Sequence, residues 1–399
     1  MTLSDEGQSP AEGALQPDGP QAEGRRVAAM VEEAEALGAS SEQVLERAAQ
    51  DDYAELTAEA NKAFRSKVSP AKKATIGAAL IVIIVVSLCL GRYSCNPLDL
   101  FGTIYHVLLD PAGEWDRNLV TAIFQIRIPR VLCVVLVGAA LSVAGASYQG
   151  MFKNPLVSPD LLGASAGASL GACIAILLNF PNLGIQGMAF VFSLLAVGLA
   201  VWLTRIVKSD ALLGLVLGGI LVSTLFQSGT SIVKLVADAD DKLPQITFWL
   251  MGTFANITVG DFLLVIAPML IGFAILMAMR WRLNVLSFGE EEARTLGINT
   301  SSTRLWVIVA ATMITACSVS ICGVIGYVGL VVPHLARAVV GPNYRVLLPT
   351  SMVIGSAFLL IVDNFSRLLF ATEVPIGILT SIIGVPFFIF IYRHNLRGW

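Results

Sequence analysis

The stretch PRVLCVVLVGAALSVAGASYQ, residues 129–149, decides the fold class. After Arg130 it contains no charged residue. A helix rises about 1.5 Å per residue, so roughly 20 apolar residues cross the hydrocarbon core of a bilayer. The run is continuous rather than alternating, which favours a helix over a barrel strand. The sequence therefore predicts a membrane-spanning helix here.

Nine further stretches have the same character. They are 73–91, 161–179, 186–206, 211–235, 260–279, 303–322, 326–340, 347–363 and 374–392. Of the 399 residues, 55% are hydrophobic and 14% are charged, and the mean hydropathy is +0.75. Soluble chains carry about a quarter charged residues. We therefore expect an all-α polytopic membrane protein with about ten transmembrane helices.

Positive residues set the expected orientation, because they are enriched on the cytoplasmic side. Lys72 and Lys73 precede the first span, which predicts a cytoplasmic N-terminus. Alternating spans then predict that these residues are also inside: Lys153, Arg205, Lys208, Arg280, Arg282, Arg337, Arg345, Arg393 and Arg397. The C-terminus is expected inside as well. Arg127 and Arg130 fall outside, against the bias, and so need another explanation.

The chain divides into two parts by composition. Acidic residues are concentrated in residues 1–66, which makes the net charge of −3 misleading for the membrane part. Residues 1–24 are rich in Pro, Gly, Ala and acid, and are predicted to be disordered. We expect 1–66 to be an acidic, partly disordered cytoplasmic appendage, either a solvated tail or a regulatory domain. Residues 67–399 form the membrane domain.

Small residues recur at a fixed spacing in LLGASAGASLG, residues 161–171. Gly163, Gly167 and Gly171 lie four residues apart, which lets helices approach closely in lipid. The alternative is a translocation path lined by small groups. The same stretch contains GxSxG around Ser165, which with His334 would suggest an intramembrane serine protease. Such a pattern also arises easily in a glycine- and alanine-rich helix.

Few groups in the spans could carry chemistry. Asp363 is the main intramembrane charge, and Arg367 lies four residues on, on the same helical face. The two side chains either neutralise each other or take part in an ion relay. No GxxxxGK[ST] loop is present, so the chain cannot hydrolyse ATP by that route. The six cysteines form no CxxC pair and are expected to be buried hydrophobes, with no metal site.

The segment GEEEARTLGI, residues 289–298, places three glutamates in a row in an otherwise very apolar domain. It lies between the sixth and seventh spans and is predicted to face the cytoplasm. Glu290 and its neighbours suit the positive end of a helix dipole, and Gly297 suits a helix end. The residues alone leave open a solvated linker or a docking surface.

Long motifs then suggest a family. RIPRVLCVVLVGAALSVAGASYQGMFKNPLVSPDLLGASAGASLGA (127–172), GVIGYVGLVVPHLARAVVGPNYRVLLP (323–349) and EVPIGILTSIIGVPFF (373–388) resemble the FecCD-type permeases, as does FWLMG (248–252). These are the membrane subunits of ATP-driven importers for iron-siderophores, haem and cobalamin. The resemblance runs from about residue 73 to 395, and it implies the type II ABC importer permease architecture.

The resemblance also implies partners. It predicts a homodimer, or a heterodimer with a similar permease, together with two ATPase subunits and an extracytoplasmic substrate-binding protein. Residues 289–297 would be the coupling helix, with Gly289, Glu290, Ala293, Leu296 and Gly297 at the recurring positions. Ala293 would face a groove of the ATPase. ATP would be bound by the partner and no cofactor by this chain, in the cytoplasmic membrane and without nucleic acid.

In this family two arginines of the RxPR motif and one near the last span receive glutamates of the binding protein. The matching residues here are Arg127, Arg130 and Arg367. The spacing from Arg367 to Glu373 is about one residue shorter than usual, so Arg367 could instead pair with Asp363. The resemblance favours an iron-siderophore as substrate. Haem, cobalamin, an oxyanion and a stand-alone secondary transporter remain alternatives.

Overall fold

A computed structural model describes residues 69–91, 95–109, 116–207, 211–370 and 372–395. The acidic appendage expected at 1–66 lies outside these residues, as does the expected division of the chain at residue 66. The statements below concern the described residues.

The described chain is helical and contains no strand. Its helices are α1 Pro70–Cys89, α2 Pro97–Leu109, α3 Arg117–Phe152, α4 Ala164–Leu177, α5 Asn182–Val207, α6 Ala211–Val236, α7 Lys242–Leu250, α8 Val259–Phe288, α9 Glu290–Thr295, α10 Thr300–Cys322, α11 Val328–Val340, α12 Tyr344–Leu368 and α13 Ile376–Asn395. Residues Thr121–Arg127 of α3 are π-helical.

The predicted spans correspond to helices of this structure. Seven helices are long and apolar enough to cross a membrane, namely α1, α3, α5, α6, α8, α10 and α12. Three shorter apolar helices, α4, α11 and α13, coincide with the other three predicted stretches. The prediction of an all-α polytopic membrane protein is therefore confirmed. Helices α2 and α7 were not predicted.

The bundle is built around α3 and α10. In their most apolar stretches 83% and 78% of residues are buried, against 6% for α1. Glycines allow this central packing: a Cβ on Gly138 would lie 2.4 Å from the Gly355 carbonyl oxygen, and one on Gly145 would lie 1.9 Å from that of Gly329. The backbone of α3 therefore touches both α12 and α11. Close backbone contact of this kind is how helices gain packing energy in lipid.

Helices α4 and α5 pack in the same way. A Cβ on Gly167 or Gly171 would lie 2.3 Å from the carbonyl oxygen of Phe192 or Met188, respectively. Gly163 has a different position, because it precedes α4 with φ +85°. A side chain is strained in that left-handed region, so glycine suits the turn that starts the helix.

Candidate transport surfaces

The three arginines expected at the outer surface meet in one buried cluster. Arg130 donates to Asp363 Oδ1 from Nε at 3.1 Å and from Nη2 at 2.8 Å. Its Nη1 lies 2.9 Å from the carboxylate of Glu373. Arg367 Nε lies 3.1 Å from Asp363 Oδ2, so the i,i+4 pair that was an alternative to docking is present. Asp363 thus lies between two guanidinium groups.

Two of these arginines also hold the end of the first span. Arg127 Nη1 donates to the carbonyls of Leu88 at 2.8 Å and Cys89 at 3.2 Å. Arg367 donates to the carbonyls of Leu90 at 3.0 Å and Ser87 at 3.2 Å. The last carbonyls of a helix lack partners within it and carry partial negative charge. The arginines therefore cap α1 and tie it to α3 and α12.

Burial distinguishes the members of this cluster. Arg127 and Arg130 are 5% exposed, Arg367 is 8% exposed and Asp363 is fully buried. The side chain of Glu373 is 27% exposed, which makes it the most accessible member. Three guanidinium groups against two carboxylates leave one positive charge in excess. A carboxylate arriving from outside would therefore reach Arg130 by displacing Glu373.

Arg127 and Arg130 bind different helices although both lie near the junction of the two parts of α3. Residues Thr121–Arg127 are wound more loosely than an α-helix, and the α-helical part begins at Ile128. Pro129 lies in the first turn of this part and has no N–H to donate to the preceding turn. Arg127 binds the end of α1, whereas Arg130 binds Asp363 of α12.

The segment between α8 and α10 forms the short helix α9. Gly289 lies just before this helix, and Gly297 follows it with φ +77°. The carboxylate of Glu290 forms an ion pair with the guanidinium of Arg304 at 2.8 Å and lies 3.7 Å from that of Arg294. Burial alone would raise the pKa of Glu290, but the hydrogen bond and charge of Arg304 outweigh it and lower the pKa. The ionised pair fastens α9 to the start of α10.

The side chains of α9 divide into an inner and an outer set. Ala293 is fully buried and packs with Val285 and Ile298 of the same chain. The turn of chain after α9 thus covers Ala293, and its expected position in a groove of the ATPase stays a prediction. Leu296 is 62% exposed and is the apolar side chain that this segment presents outward.

Helix α6 carries an exposed polar stripe that the sequence analysis missed. Thr224, Gln227, Ser228 and Ser231 are all exposed. Their spacing of three and four residues places them on one helical face. The hydroxyls of Thr224, Ser228 and Ser231 donate to carbonyls four residues earlier at 2.9–3.0 Å. The run STLFQSGTS was the available signal, since polar groups in a span normally face away from lipid.

A cavity of about 280 Å³, with a mostly apolar lining that includes a few polar side chains, lies between the segments that precede α4 and α11. Asp160, Ser165, Thr315 and Tyr327 contribute to its lining. Asp160 Oδ1 accepts the backbone N–H of Ser165 at 2.7 Å and so caps the start of α4. Irregular backbone inside a membrane bundle is tolerated where it lines such a cavity.

The serine-protease alternative gains no support from these contacts. Ser165 lies at the N-terminal turn of α4, held by Asp160. Nε2 of His334 lies 3.1 Å from the Pro155 carbonyl oxygen, which joins α11 to the segment after α3. Within the described residues no group of three or more His, Cys, Asp or Glu side chains could hold a metal ion. All six cysteines are free thiols.

Seven long apolar helices and three shorter ones within the described residues define a multi-pass membrane protein. Comparison with known proteins assigns the family. The model of the FecCD transport family matches residues 79–394. The chain belongs to this family, whose members are ABC transporter permease subunits.

Several relatives are similar along most of their length. The molybdate import system permease protein MolB of Haemophilus influenzae is 38% identical over 320 residues, covering 80% of this chain and 94% of that protein. The cobalamin import system permease protein BtuC of Halobacterium salinarum is 39% identical over 271 residues, covering 68% and 73%. A Helicobacter pylori permease named for iron chelatin transport is 37% identical over 279 residues, covering 70% and 84%.

A solved structure is similar in fold. It is described as an inward-facing conformation of a metal-chelate type ABC transporter, and it superposes with a TM-score of 0.73 at 36% identity. The alignment covers 82% of this chain and all of that chain. The expected ABC permease architecture is therefore confirmed.

Proposed function

We propose that this chain is the translocating subunit of an ATP-driven importer for an iron-siderophore or a similar metal chelate. The observation that carries the proposal is the helix α9, which is short, fastened by Glu290 to Arg304, and followed by an exposed Leu296. Because α9 is fixed in this way, a movement imposed on it would be passed to α8 and α10 as a rigid-body displacement. The relatives named for iron chelatin, hemin and cobalamin support the substrate class.

Several substrates other than an iron-siderophore are alternatives for an importer of this kind. Haem and cobalamin are metal chelates of the same broad class. The similarity to a molybdate permease supports an oxyanion as the second candidate. A stand-alone secondary transporter would need a coupling-ion site, and both carboxylates of the arginine cluster, Asp363 and Glu373, are already paired with arginines.

The proposed ATPase contact is the outer surface of α9. Leu296 supplies the apolar group, and Glu291, Glu292 and Arg294 supply exposed charges around it. An apolar side chain inside a polar rim is the usual arrangement of a contact surface. Two ATPase subunits would bind two such helices, one from each of two permease protomers. ATP would be bound on those partners, and this chain would bind no cofactor.

The proposed path runs between the two protomers along α6. Exposed polar side chains on a span need water or another polar surface, and the stripe Thr224, Gln227, Ser228 and Ser231 would line such a passage. A stripe without charge presents little electrostatic barrier to a chelate. Gly167 and Gly171 would hold α4 against α5, and Gly163 would hold the start of α4 against Ser223 of α6, rather than line the path themselves.

The substrate-binding protein would dock at the outer cluster. Arg130 is the arginine whose partner Glu373 is the most accessible, so it is the member that an incoming glutamate would reach first. Arg127 and Arg367 would contribute their positive charge while they keep α1 in place. We place the protein in the cytoplasmic membrane with both termini in the cytoplasm, following the distribution of Lys and Arg.

The test is co-purification of the ATPase subunit expressed with this chain. Leu296→Glu should reduce the amount of bound ATPase, because a buried unpaired carboxylate is costly at an interface. Leu98→Glu is the control, since Leu98 is also an exposed leucine, at 79%, and lies on α2, which is too short to cross the membrane. Equal ATPase recovery with both variants would contradict the contact.

A further inference from the structure

A long apolar groove separates the outward faces of α5 and α10. It holds about 380 Å³ and is lined on α5 by Phe190, Leu194, Gly198 and Trp202, with Leu305 and Met313 among the residues of α10. Gly198 forms its floor, because no atom lies within 4 Å of a Cβ built on that residue. The groove is therefore open space that a side chain at this position would otherwise fill.

The wall of this groove is apolar except at one end. Thr312 is the hydroxyl residue in its lining, and its Oγ1 is already bonded to the Tyr148 hydroxyl at 3.1 Å. Arg205 lies at one end of the groove, in the last turn of α5, and is exposed. Within the described residues Arg205 forms no ion pair, so its charge is available to a ligand. Trp202, 56% exposed, lies one turn before it.

The groove is longer than the hydrocarbon half of one leaflet. From Phe190 to Arg205 the helix rises about 22 Å, taking about 1.5 Å per residue. Half of the hydrocarbon core is about 15 Å. Arg205 and Trp202 are the residue types found at the interface with lipid headgroups. An acyl chain anchored at Arg205 would therefore run past Gly198 and cover about two-thirds of the groove.

We propose that this groove binds one anionic phospholipid of the cytoplasmic leaflet, with its headgroup at Arg205 and an acyl chain over Gly198. The apolar wall accepts the chain, and the single cation selects a negatively charged headgroup. The site lies on α5 and α10, and α10 begins at Thr300 close to the coupling segment. The proposal rests on the proposed orientation, in which the Arg205 end of α5 faces the cytoplasm. It does not depend on which substrate the protein transports.

A helix of a second copy fits this groove poorly. A helix about 10 Å across would fill 380 Å³ in about one turn. A groove about 22 Å long and of that volume is narrow, and an extended acyl chain is the slimmer occupant. Arg205 gives one end of the groove a positive charge. An anionic lipid complements this charge, whereas the same basic helix end of a second copy does not.

The test is lipid binding to the purified full-length permease, measured by native mass spectrometry. The probes are phosphatidylglycerol and phosphatidylcholine with the same acyl chains. One basic residue near the surface contributes about fivefold in affinity for an anionic lipid. We expect the wild type to prefer phosphatidylglycerol by about fivefold and Arg205→Gln to bind both lipids equally.

Two further variants separate the groove from the headgroup site. Gly198→Leu should fill the floor and reduce the binding of both lipids, since its side chain meets no protein atom that would be displaced. Gly187→Leu on the same helix is the matched control, because its Cβ also enters open space. Arg280→Gln is the control for loss of an exposed charge. Both controls should bind lipid as the wild type does.

The proposal is overturned if Arg205→Gln and Gly198→Leu keep the wild-type lipid preference and occupancy. It is also overturned if Gly198→Leu changes the number of protomers in the purified complex and leaves lipid binding unchanged. That result would assign the groove to a second copy of the chain. Arg205→Gln keeps the test decisive if Gly198→Leu fails to fold. None of these measurements requires the ATPase or transport.

Discussion

Replacing Asp363 by asparagine should destabilise the protein strongly. The side chain is fully buried and accepts two hydrogen bonds from Arg130, at 3.1 and 2.8 Å, while Arg367 lies 3.1 Å away. Asparagine keeps the shape but removes the charge that both guanidinium groups face. The excess positive charge of the cluster then rises from one to two. Removing one partner of a buried ion pair costs about 3–5 kcal/mol.

The assay is reversible unfolding of the purified membrane protein in mixed detergent micelles, followed by helical circular dichroism. Asp241→Asn is the control, because that carboxylate is 62% exposed and pairs with Lys242 at 3.2 Å. An exposed pair contributes about 0.2–1 kcal/mol. If Asp363→Asn lost no more stability than Asp241→Asn, Asp363 would not hold the cluster together. The double variant with Arg130→Gln should lose less than the sum of the single losses, since the two residues interact directly.

Three further perturbations test other parts of the structure. Gly145→Ala places a Cβ 1.9 Å from the Gly329 carbonyl oxygen and should lower the free energy of unfolding by about 1–3 kcal/mol through overpacking. Gly77→Ala is the control and should be neutral, because its Cβ meets no atom within 4 Å. Equal stability of the two variants would mean that α3 and α11 are not in backbone contact. Ala293→Trp should disturb the packing on Val285 and Ile298 within the chain, so the purified permease should lose thermal stability even without the ATPase; unchanged stability with loss of ATPase binding would place Ala293 at the partner surface after all. The lowered pKa of Glu290 means that its pair with Arg304 contributes stability above the ordinary glutamate pKa and loses it as the pH falls through the lowered value. The difference in melting temperature between wild type and Glu290→Gln should therefore narrow on acidification, and a difference that widened would contradict the assigned cause.

Sequence reasoning identified the spans because each is decided locally, by about twenty apolar residues in a row. Helices α2 and α7 were not predicted, because neither is long enough to cross a bilayer. Their packing against α1 and α4 depends on the tertiary structure. For the stretch around Gly167 the sequence left open a close helix contact or a translocation path. Only the structure shows that Phe192 and Met188 supply the opposing backbone.

Arg127, Arg130 and Arg367 show a different limit. Their places near the start of the α-helical part of α3 and at the end of α12 could be read from the sequence, but the direction of their side chains could not. The carbonyls that they bind belong to the end of α1, which is 39 residues from Arg127 and 277 residues from Arg367 at the contacts with Leu88 and Leu90. A guanidinium can donate its hydrogen bonds either to a carboxylate or to a backbone carbonyl. Which of them is present depends on the fold.

ATP-dependent uptake into proteoliposomes tests the central claim most directly. The vesicles would contain this permease with its ATPase and binding protein, and would be offered a ferric siderophore, haem, cobalamin or molybdate. We predict accumulation of a metal chelate that requires ATP and is lost when Leu296→Glu prevents the ATPase from binding. Accumulation of a chelate that proceeds without ATP, or uptake of molybdate alone, would contradict this account.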